Sequence, residues 1–314
     1  MTTFRRLAWL TLVLAFGQIV FGAIVRITGS GMGCGDHWPQ CAGYWIPPLE
    51  RPDLIIEVTH RYIAAALTLA IVVLAAFAFV RRRRQGFSGP GGVLRPTMLA
   101  AGLVIAAALF GAATVKYELA NKAVIVTHLA IAMSLLAVLL VALERSRPAA
   151  AKLPNVSPRT VRGATAAAGL VFLALVFGAL TAHLPGANTA CVGFPLCSGS
   201  LLPTAPVQHV QYVHRLIAFL LLFHTAALAI AVTRRGESAV VPLARLTLAG
   251  VLAQVVLAAF LVTLNLPLVL RSLHEAVGTL IWVFAVGFLL TARRYAPARQ
   301  TSRVAAISVA EAQG

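Results

Sequence analysis

Four histidines have the placement expected of axial ligands to a flat metal complex. They form two matched pairs, His60 with His128 and His214 with His274, and each lies near one end of a long apolar segment. Ionisable side chains are costly inside a bilayer, so their recurrence at matched places indicates a function. Two imidazoles that face each other across a helical bundle can hold a haem iron from both sides. Zinc is disfavoured, because a structural zinc site needs four close ligands.

An acidic residue distinguishes the first pair from the second. Glu57 stands three residues before His60, whereas Gln211 stands three residues before His214. At this helical spacing the two side chains share a face. A carboxylate can accept a proton or stabilise a developing positive charge, whereas an amide can only form hydrogen bonds. The first half is therefore predicted to be reactive and the second to be a holder, with a structural ion pair as the alternative role for Glu57.

Each half also has an arginine directly after its first histidine, namely Arg61 and Arg215. These side chains lie near the predicted outer surface of the membrane. They are candidates for pairing with the propionates of a haem, and contact with lipid head groups is the alternative.

The four cysteines lie in two predicted outer loops, Cys34 and Cys41 in the first and Cys191 and Cys197 in the second. Loops outside the cytoplasm are in an oxidising environment, which predicts one disulfide in each loop. For Cys191 and Cys197 the favoured role is structural. For Cys34 and Cys41, close to Glu57, a structural role and a redox-active role both remain open.

The composition places these residues in an integral membrane protein. The chain has 314 residues, of which 60% are hydrophobic and 11% are charged, whereas about 25% are charged in a typical soluble domain. A helix needs about 20 apolar residues to cross the hydrocarbon core of a membrane. Eight segments meet this length, and they are residues 7–27, 54–80, 94–115, 123–143, 164–182, 211–232, 240–262 and 267–290.

The formal net charge of +17 has a topological explanation that needs no nucleic acid. Most Lys and Arg residues, including the run Arg81 to Arg84, fall on the same side as the amino terminus. Because cytoplasmic loops carry an excess of positive charge, both termini are predicted to be cytoplasmic. The expected location is the cell membrane, with multiple crossings of the lipid bilayer.

The order of features is repeated in the two halves, which predicts a duplicated fold. In each half an apolar helix leads to two cysteines, a His-Arg pair and a later histidine. The predicted fold is all-α, with eight transmembrane helices in two four-helix bundles related by a pseudo-twofold axis. The expected divisions are residues 1–146 for the first bundle, 147–162 for a cytoplasmic linker, 163–295 for the second bundle and 296–314 for a tail.

Together these residues resemble the haem A synthase family. The segments that carry the resemblance are residues 22–34 (GAIVRITGSGMGC), 38–41 (WPQC), 57–61 (EVTHR), 211–215 (QYVHR) and 273–275 (LHE). The resemblance implies conversion of haem O to haem A by successive hydroxylations of one methyl group. It also implies haem O between His60 and His128, a haem B cofactor on His214 and His274, Glu57 as the catalytic residue, and a haem O synthase as a partner.

Three other functions remain possible from the sequence. A di-haem electron-transfer cytochrome and a haem carrier both explain the histidines but not an acid in one half alone. A thiol-disulfide oxidoreductase is disfavoured, because neither cysteine pair has Cys-x-x-Cys spacing. A di-iron site is disfavoured because Glu118 falls in a loop and Glu275 is expected on a different helix face from His274. The sequence does not identify the electron acceptor.

Overall fold

The computed structural model describes residues 1–35, 40–148 and 156–297. Within these ranges it contains eight helices that are long and apolar enough to cross a membrane, as predicted. They are α1 (Thr2–Ile27), α2 (Pro52–Val80), α3 (Leu94–Lys116), α4 (Lys122–Arg145), α5 (Pro158–His183), α6 (Gln208–Arg234), α7 (Val241–Thr263) and α8 (Leu268–Tyr295).

Capping residues set helix starts that the apolar pattern alone does not show. Asn121 begins α4, where its side chain accepts a hydrogen bond from the Val124 amide. Ser157 begins α5 in the same way, and Pro158 follows at the first helical position, where its missing N–H costs nothing. Helix α5 therefore begins inside the predicted linker 147–162. Residues 149–155 and most of the predicted tail, from 298 onward, lie outside the described residues.

The helices of each half form a closed ring of four. Helix α1 packs against α2 and α4, and α3 packs against the same two helices. The second half repeats this pattern, with α5 and α7 each packed against α6 and α8. The two halves meet through α1 with α8, α4 with α8, and α4 with α5. The pseudo-twofold relation between the halves stays a prediction.

One apolar core continues from the first ring into the second. Leu136 and Leu139 of α4 belong to the same buried cluster as Trp282 and Ala285 of α8. The indole Nε1 of Trp282 also donates a 2.9 Å hydrogen bond to the carbonyl of Met133. An indole N–H buried in an apolar environment needs a partner, so this bond helps to fix the packing of the two rings.

The outward surface of the helices suits lipid. Leu69, Leu109 and Phe223 are each about two-thirds exposed in the isolated chain. Such large apolar side chains, which would be unfavourable in water, contact acyl chains when the helices cross a bilayer.

A buried carboxylate organises the predicted cytoplasmic end of the second ring. Glu237, in the turn between α6 and α7, accepts hydrogen bonds from the Ser157 amide, the Thr160 hydroxyl and the Arg235 guanidinium. Burial alone would raise the pKa of the Glu237 carboxyl, but the hydrogen bonds from Thr160 and Ser157 and the charge of Arg235 hold that pKa below its ordinary value. Glu237 thereby fixes the start of α5 against the α6–α7 turn.

Candidate functional site

A large cavity opens between α5, α6, α7 and α8. Counted out to its open mouth, the space is about 1450 Å³. His214 of α6 and His274 of α8 both line it, and apolar side chains such as Val171, Val251 and Ile281 form much of the wall. A mostly apolar cavity with a few convergent polar groups is the usual form of a cofactor site.

Three of the four histidines have a buried ring nitrogen without a protein partner. Nδ1 of His214 and Nδ1 of His274 are buried without a hydrogen bond, and Nδ1 of His128 is in the same state. The Ala107 and Ala174 backbones lie close to His128 and His214, but outside hydrogen-bonding geometry. Buried polar atoms are rarely left unsatisfied. Imidazoles in this state are therefore suited to binding a ligand, such as a metal centre.

Glycines on the neighbouring helices bring three of the histidines close to backbone. A Cβ built at Gly22 would lie 3.0 Å from Cε1 of His60, and one built at Gly178 would lie 3.1 Å from Cε1 of His214. At Gly111 the corresponding distance, to Cε1 of His128, is 3.3 Å. All three distances are shorter than an ordinary van der Waals contact. Each imidazole thus lies so close to the neighbouring helix that a side chain larger than glycine would require the ring to shift.

The first ring brings its own two histidines together. His60 of α2 and His128 of α4 are close enough to interact electrostatically, as are His214 and His274 in the second ring. In the first ring the amide Nε2 of Gln18 lies 3.1 Å from Nδ1 of His60 and also donates to the His60 carbonyl oxygen at 3.1 Å. Phe21 stacks nearly parallel to the same imidazole. The His60 ring is therefore oriented by two residues of α1.

Glu57 and Gln211 occupy equivalent places with different charge. The Cys34 amide donates to Oε2 of Glu57 at 2.8 Å, and the Cys191 amide donates to Oε1 of Gln211 at 2.8 Å. The other oxygen of Glu57 accepts a 2.6 Å bond from Arg61, and the Glu57 side chain is only 4% exposed. The two halves share one hydrogen-bonding scaffold, and a buried negative charge is present at this position in the first half alone.

The guanidinium groups of Arg61 and Arg215 bind the two loops that contain the cysteines. Arg61 donates to the carbonyls of Gln40 and Gly35. Arg215 donates to the carbonyl of Leu196 at 2.6 Å and to that of Cys191 at 3.0 Å. Arg215 also lines the cavity, so its predicted role toward a propionate remains open, but both arginines hold the loop that follows the preceding helix.

Both predicted disulfides are present, Cys34 with Cys41 and Cys191 with Cys197. Each of the four residues is at most 2% exposed. In each loop the second cysteine forms a short antiparallel bridge to a residue three positions later. Each loop is thus closed by a buried disulfide. The first cysteine of each disulfide is also the residue whose backbone amide binds Glu57 or Gln211.

Comparison with known proteins gives the family. The model of the COX15-CtaA family, described as cytochrome oxidase assembly protein, matches residues 5–286. The chain belongs to this family. Heme A synthase of Geobacillus kaustophilus (strain HTA426) is 30% identical over 311 residues, which cover 94% of this chain and 95% of that protein. Heme A synthase of Geobacillus thermodenitrificans is 30% identical over 95% of this chain and 96% of its own length. Heme A synthase of Shouchella clausii (strain KSM-K16) is 28% identical, with 93% and 97% covered.

The sequence analysis did not identify several charged residues that line the cavity. Arg26, Arg271 and Glu275 all line the cavity between α5, α6, α7 and α8. Glu275 was expected on a different helix face from His274, but both contribute to the cavity wall. The only sequence signal for these residues was their charge at the end of an apolar segment. The sequence analysis used the positions of Lys and Arg only to predict which side of the membrane each loop occupies.

Two glutamines also contact the histidines that form the candidate sites. Gln254 of α7 donates a 2.8 Å bond to the carbonyl of His274, as Gln18 does to that of His60. The amide oxygens of both glutamines are buried without a partner. Gln18 stands four residues before Gly22, and Gln254 stands four residues before Ala258 of the cavity wall. An amide side chain within an otherwise apolar segment is the sequence signal that could have identified both.

Proposed function

We propose that this chain is a haem A synthase, which oxidises one methyl group of haem O to a formyl group by successive hydroxylations. The observation that carries the proposal is that the two halves share the same hydrogen-bond arrangement but differ in the charge of one side chain. Glu57 and Gln211 accept the same backbone hydrogen bond in their two halves, and only the first is acidic. An electron-transfer cytochrome or a haem carrier gives no reason for this difference. The near full-length similarity to heme A synthases supports the same function.

The residues present fit two haem sites. We assign His60 and His128 to the iron of the substrate haem O, and His214 and His274 to the iron of a haem B cofactor. The buried, unpartnered Nδ1 atoms of His128, His214 and His274 support this assignment. The glycine surfaces beside His60, His128 and His214 support it as well. A bound haem B would supply a redox centre in the second ring, where His214 and His274 would hold its iron.

The reaction balances with water as the oxygen source. The methyl group and one water give a hydroxymethyl group, two protons and two electrons. A second water gives a geminal diol with the loss of two more protons and two electrons, and loss of water from the diol leaves the formyl group. The electrons pass to an acceptor outside the pocket, and the chain must remove the protons and exclude side reactions.

Glu57 is the group that we assign to the proton and charge changes. Its carboxylate accepts a proton, or stabilises the positive charge that develops at the methyl carbon as water adds. The bonds from Arg61 and the Cys34 amide hold both of its oxygens, so the carboxylate is preorganised beside the His60 turn. The apolar surroundings strengthen this electrostatic effect, because charges interact more strongly at low dielectric.

The membrane setting completes the proposal. We infer that both termini are cytoplasmic, with bundles at residues 1–146 and 163–295 joined by the linker 147–162. Both histidine pairs then lie near the outer side of a cell membrane. Because haem O is the substrate of the proposed reaction, we infer that a haem O synthase is the partner that supplies it.

Replacement of Glu57 by glutamine, the residue at the matching position of the second half, tests the proposed function. The chain is co-expressed with a haem O synthase, and the haems are extracted and separated by chromatography. The Glu57→Gln variant retains the hydrogen bond from Cys34, as Gln211 shows for Cys191, but has no charge. Haem A formation is expected to fall by roughly 10²- to 10⁴-fold, the usual contribution of general acid–base catalysis.

Gln211→Glu is the matched control and is expected to retain haem A formation. Normal haem A output from Glu57→Gln contradicts the role of Glu57. If the unmodified chain yields only haem O and haem B, the enzyme assignment fails and a cytochrome or carrier is selected instead.

A further inference from the structure

Two arginines converge at the outer end of the second cavity, and neither was assigned to a cofactor above. Arg26 is in the last turn of α1, a helix of the first ring, and Arg271 is in the first turn of α8. Both line the cavity that contains His214 and His274. Arg271 interacts electrostatically with Arg26. Two like charges are therefore held near each other at the edge of an apolar space.

The positive charge at this edge is only partly compensated. Glu275 forms a 2.6 Å ion pair with Arg26. Arg271 is close enough to both residues to be repelled by Arg26 and attracted by Glu275. In the part of the chain that the structure describes, the Arg271 guanidinium has no hydrogen-bonded partner. The amino-terminal end of α8 adds partial positive charge at the same place. One carboxylate facing two guanidiniums leaves room for a second anion.

The other arginines near the histidines are already engaged. Arg215 donates two hydrogen bonds to loop carbonyls at 2.6 and 3.0 Å, and Arg61 is paired with Glu57. An incoming carboxylate would have to break bonds at either residue, whereas Arg271 offers free donors. Arginine can bind a carboxylate through two parallel hydrogen bonds, which makes it well suited to this task.

We propose that Arg271, with Arg26 adding positive charge beside it, forms a carboxylate subsite that binds a propionate of the haem in the cavity of the second ring and retains this haem as a resident cofactor. The proposal rests on the proposed function, because it takes haem to be the occupant. Its independent support is the unpartnered Nδ1 atoms of His214 and His274, which are buried beside the same cavity.

The positions that match these three residues in the repeat are apolar. Ile125 stands three residues before His128, as Arg271 stands three residues before His274. Leu129 matches Glu275, and Ala182, four residues after Gly178, matches Arg26, four residues after Gly22. The subsite is thus confined to the second ring by the repeat. A substrate that must leave after oxidation lacks the anchor that a permanent cofactor has.

The test measures haem loss rather than catalysis. The full chain is expressed without a haem O synthase in a His60→Ala/His128→Ala background, so that only the second histidine pair can bind haem. The purified, haem B-loaded protein is mixed with excess apomyoglobin, and haem transfer is followed by absorbance. Arg271→Ala is expected to accelerate haem loss roughly tenfold, which corresponds to about 1.4 kcal/mol. Arg271→Lys, which keeps the charge without the planar fork, should have a smaller effect.

Two controls make the result specific. Arg51→Ala removes an outer arginine that is paired only with Asp53 among the described residues, and it should leave the rate unchanged. In the second control the protein carries haem B dimethyl ester, in which both carboxylates are blocked. With this ester, Arg271→Ala should have no effect.

An unchanged rate in Arg271→Ala, or equal acceleration for haem B and its ester, would overturn the subsite. The proposed function fails separately, since it requires haem A from the unmodified chain co-expressed with a haem O synthase. If no haem A forms but Arg271→Ala still accelerates loss of haem B, the subsite stands and the enzyme assignment does not.

Discussion

Gly178→Ala tests whether the position of the His214 ring is set by backbone contact. The added Cβ would lie 3.1 Å from Cε1 of His214, whereas ordinary contact begins at 3.4 Å, so the ring must retreat by about 0.3 Å. Overpacking of this kind costs roughly 1–3 kcal/mol in a closely packed interior. If that cost falls on the ligand geometry, haem affinity of the second site should drop about 5- to 150-fold.

Gly169→Ala is the matched control on the same helix. A Cβ at this position meets nothing within 4 Å, and alanine is the better helix former by about 0.5–1 kcal/mol. The same chemical change is therefore expected to have opposite signs at two positions of α5. The assay compares the haem-to-protein ratio, the absorption spectrum of the bound iron and the thermal unfolding of the two variants.

The reasoning is refuted by either of two results. If Gly178→Ala retains haem as tightly as Gly169→Ala, the ring is not held by the glycine surface. If both variants lose haem to the same extent, the effect comes from the helix in general and not from the contact with His214.

Two further predictions concern the turns and loops. Glu237→Gln should lower the free energy of unfolding by about 1–3 kcal/mol, the effect of disrupting hydrogen bonds to a buried charged group. Because the pKa of Glu237 is depressed, its contribution is complete above the ordinary value of 4.5 and is lost as the pH falls through the folded-state pKa. The deficit of the variant in thermal unfolding should therefore shrink from pH 7 to pH 3, and a constant deficit would count against the charge. Replacing Cys191 and Cys197 by serine should cost about 2 kcal/mol of stability but spare haem A formation per bound haem. The equivalent change at Cys34 and Cys41 should also reduce haem A formation at least tenfold through the loop amide that binds Glu57, and equal losses in both variants would contradict this.

The transmembrane helices could be predicted from the sequence because a bilayer imposes length and composition on every crossing. All eight predicted segments are helices in the structure. The start of α5 was less predictable, since the segment from Pro158 to Gly163 is polar and its helicity depends on the Ser157 cap. Caps act through individual hydrogen bonds, which an average over apolar residues does not detect.

Only those residues of the candidate site that could be found by comparing the two halves of the sequence were predictable. The duplication indicated the four histidines and the contrast of Glu57 with Gln211, because matched positions can be compared without knowing the fold. It could not indicate which carbonyls Arg61 and Arg215 would bind. Nor could it predict the Arg26–Glu275 ion pair, which joins residues 249 positions apart across two rings.

The same repeat gives a physical argument for the division of labour between the rings. Two features depart from it in opposite directions, the acid at position 57 in the first ring and the arginine at position 271 in the second. A site that performs oxidation needs a group that changes charge or stabilises it during the reaction, and gains from releasing its product. A site that stores a cofactor needs charges that are complementary to the bound form at all times. Under the proposed assignment, the acid at position 57 therefore suits the ring that reacts, and the arginine at position 271 suits the ring that retains its cofactor.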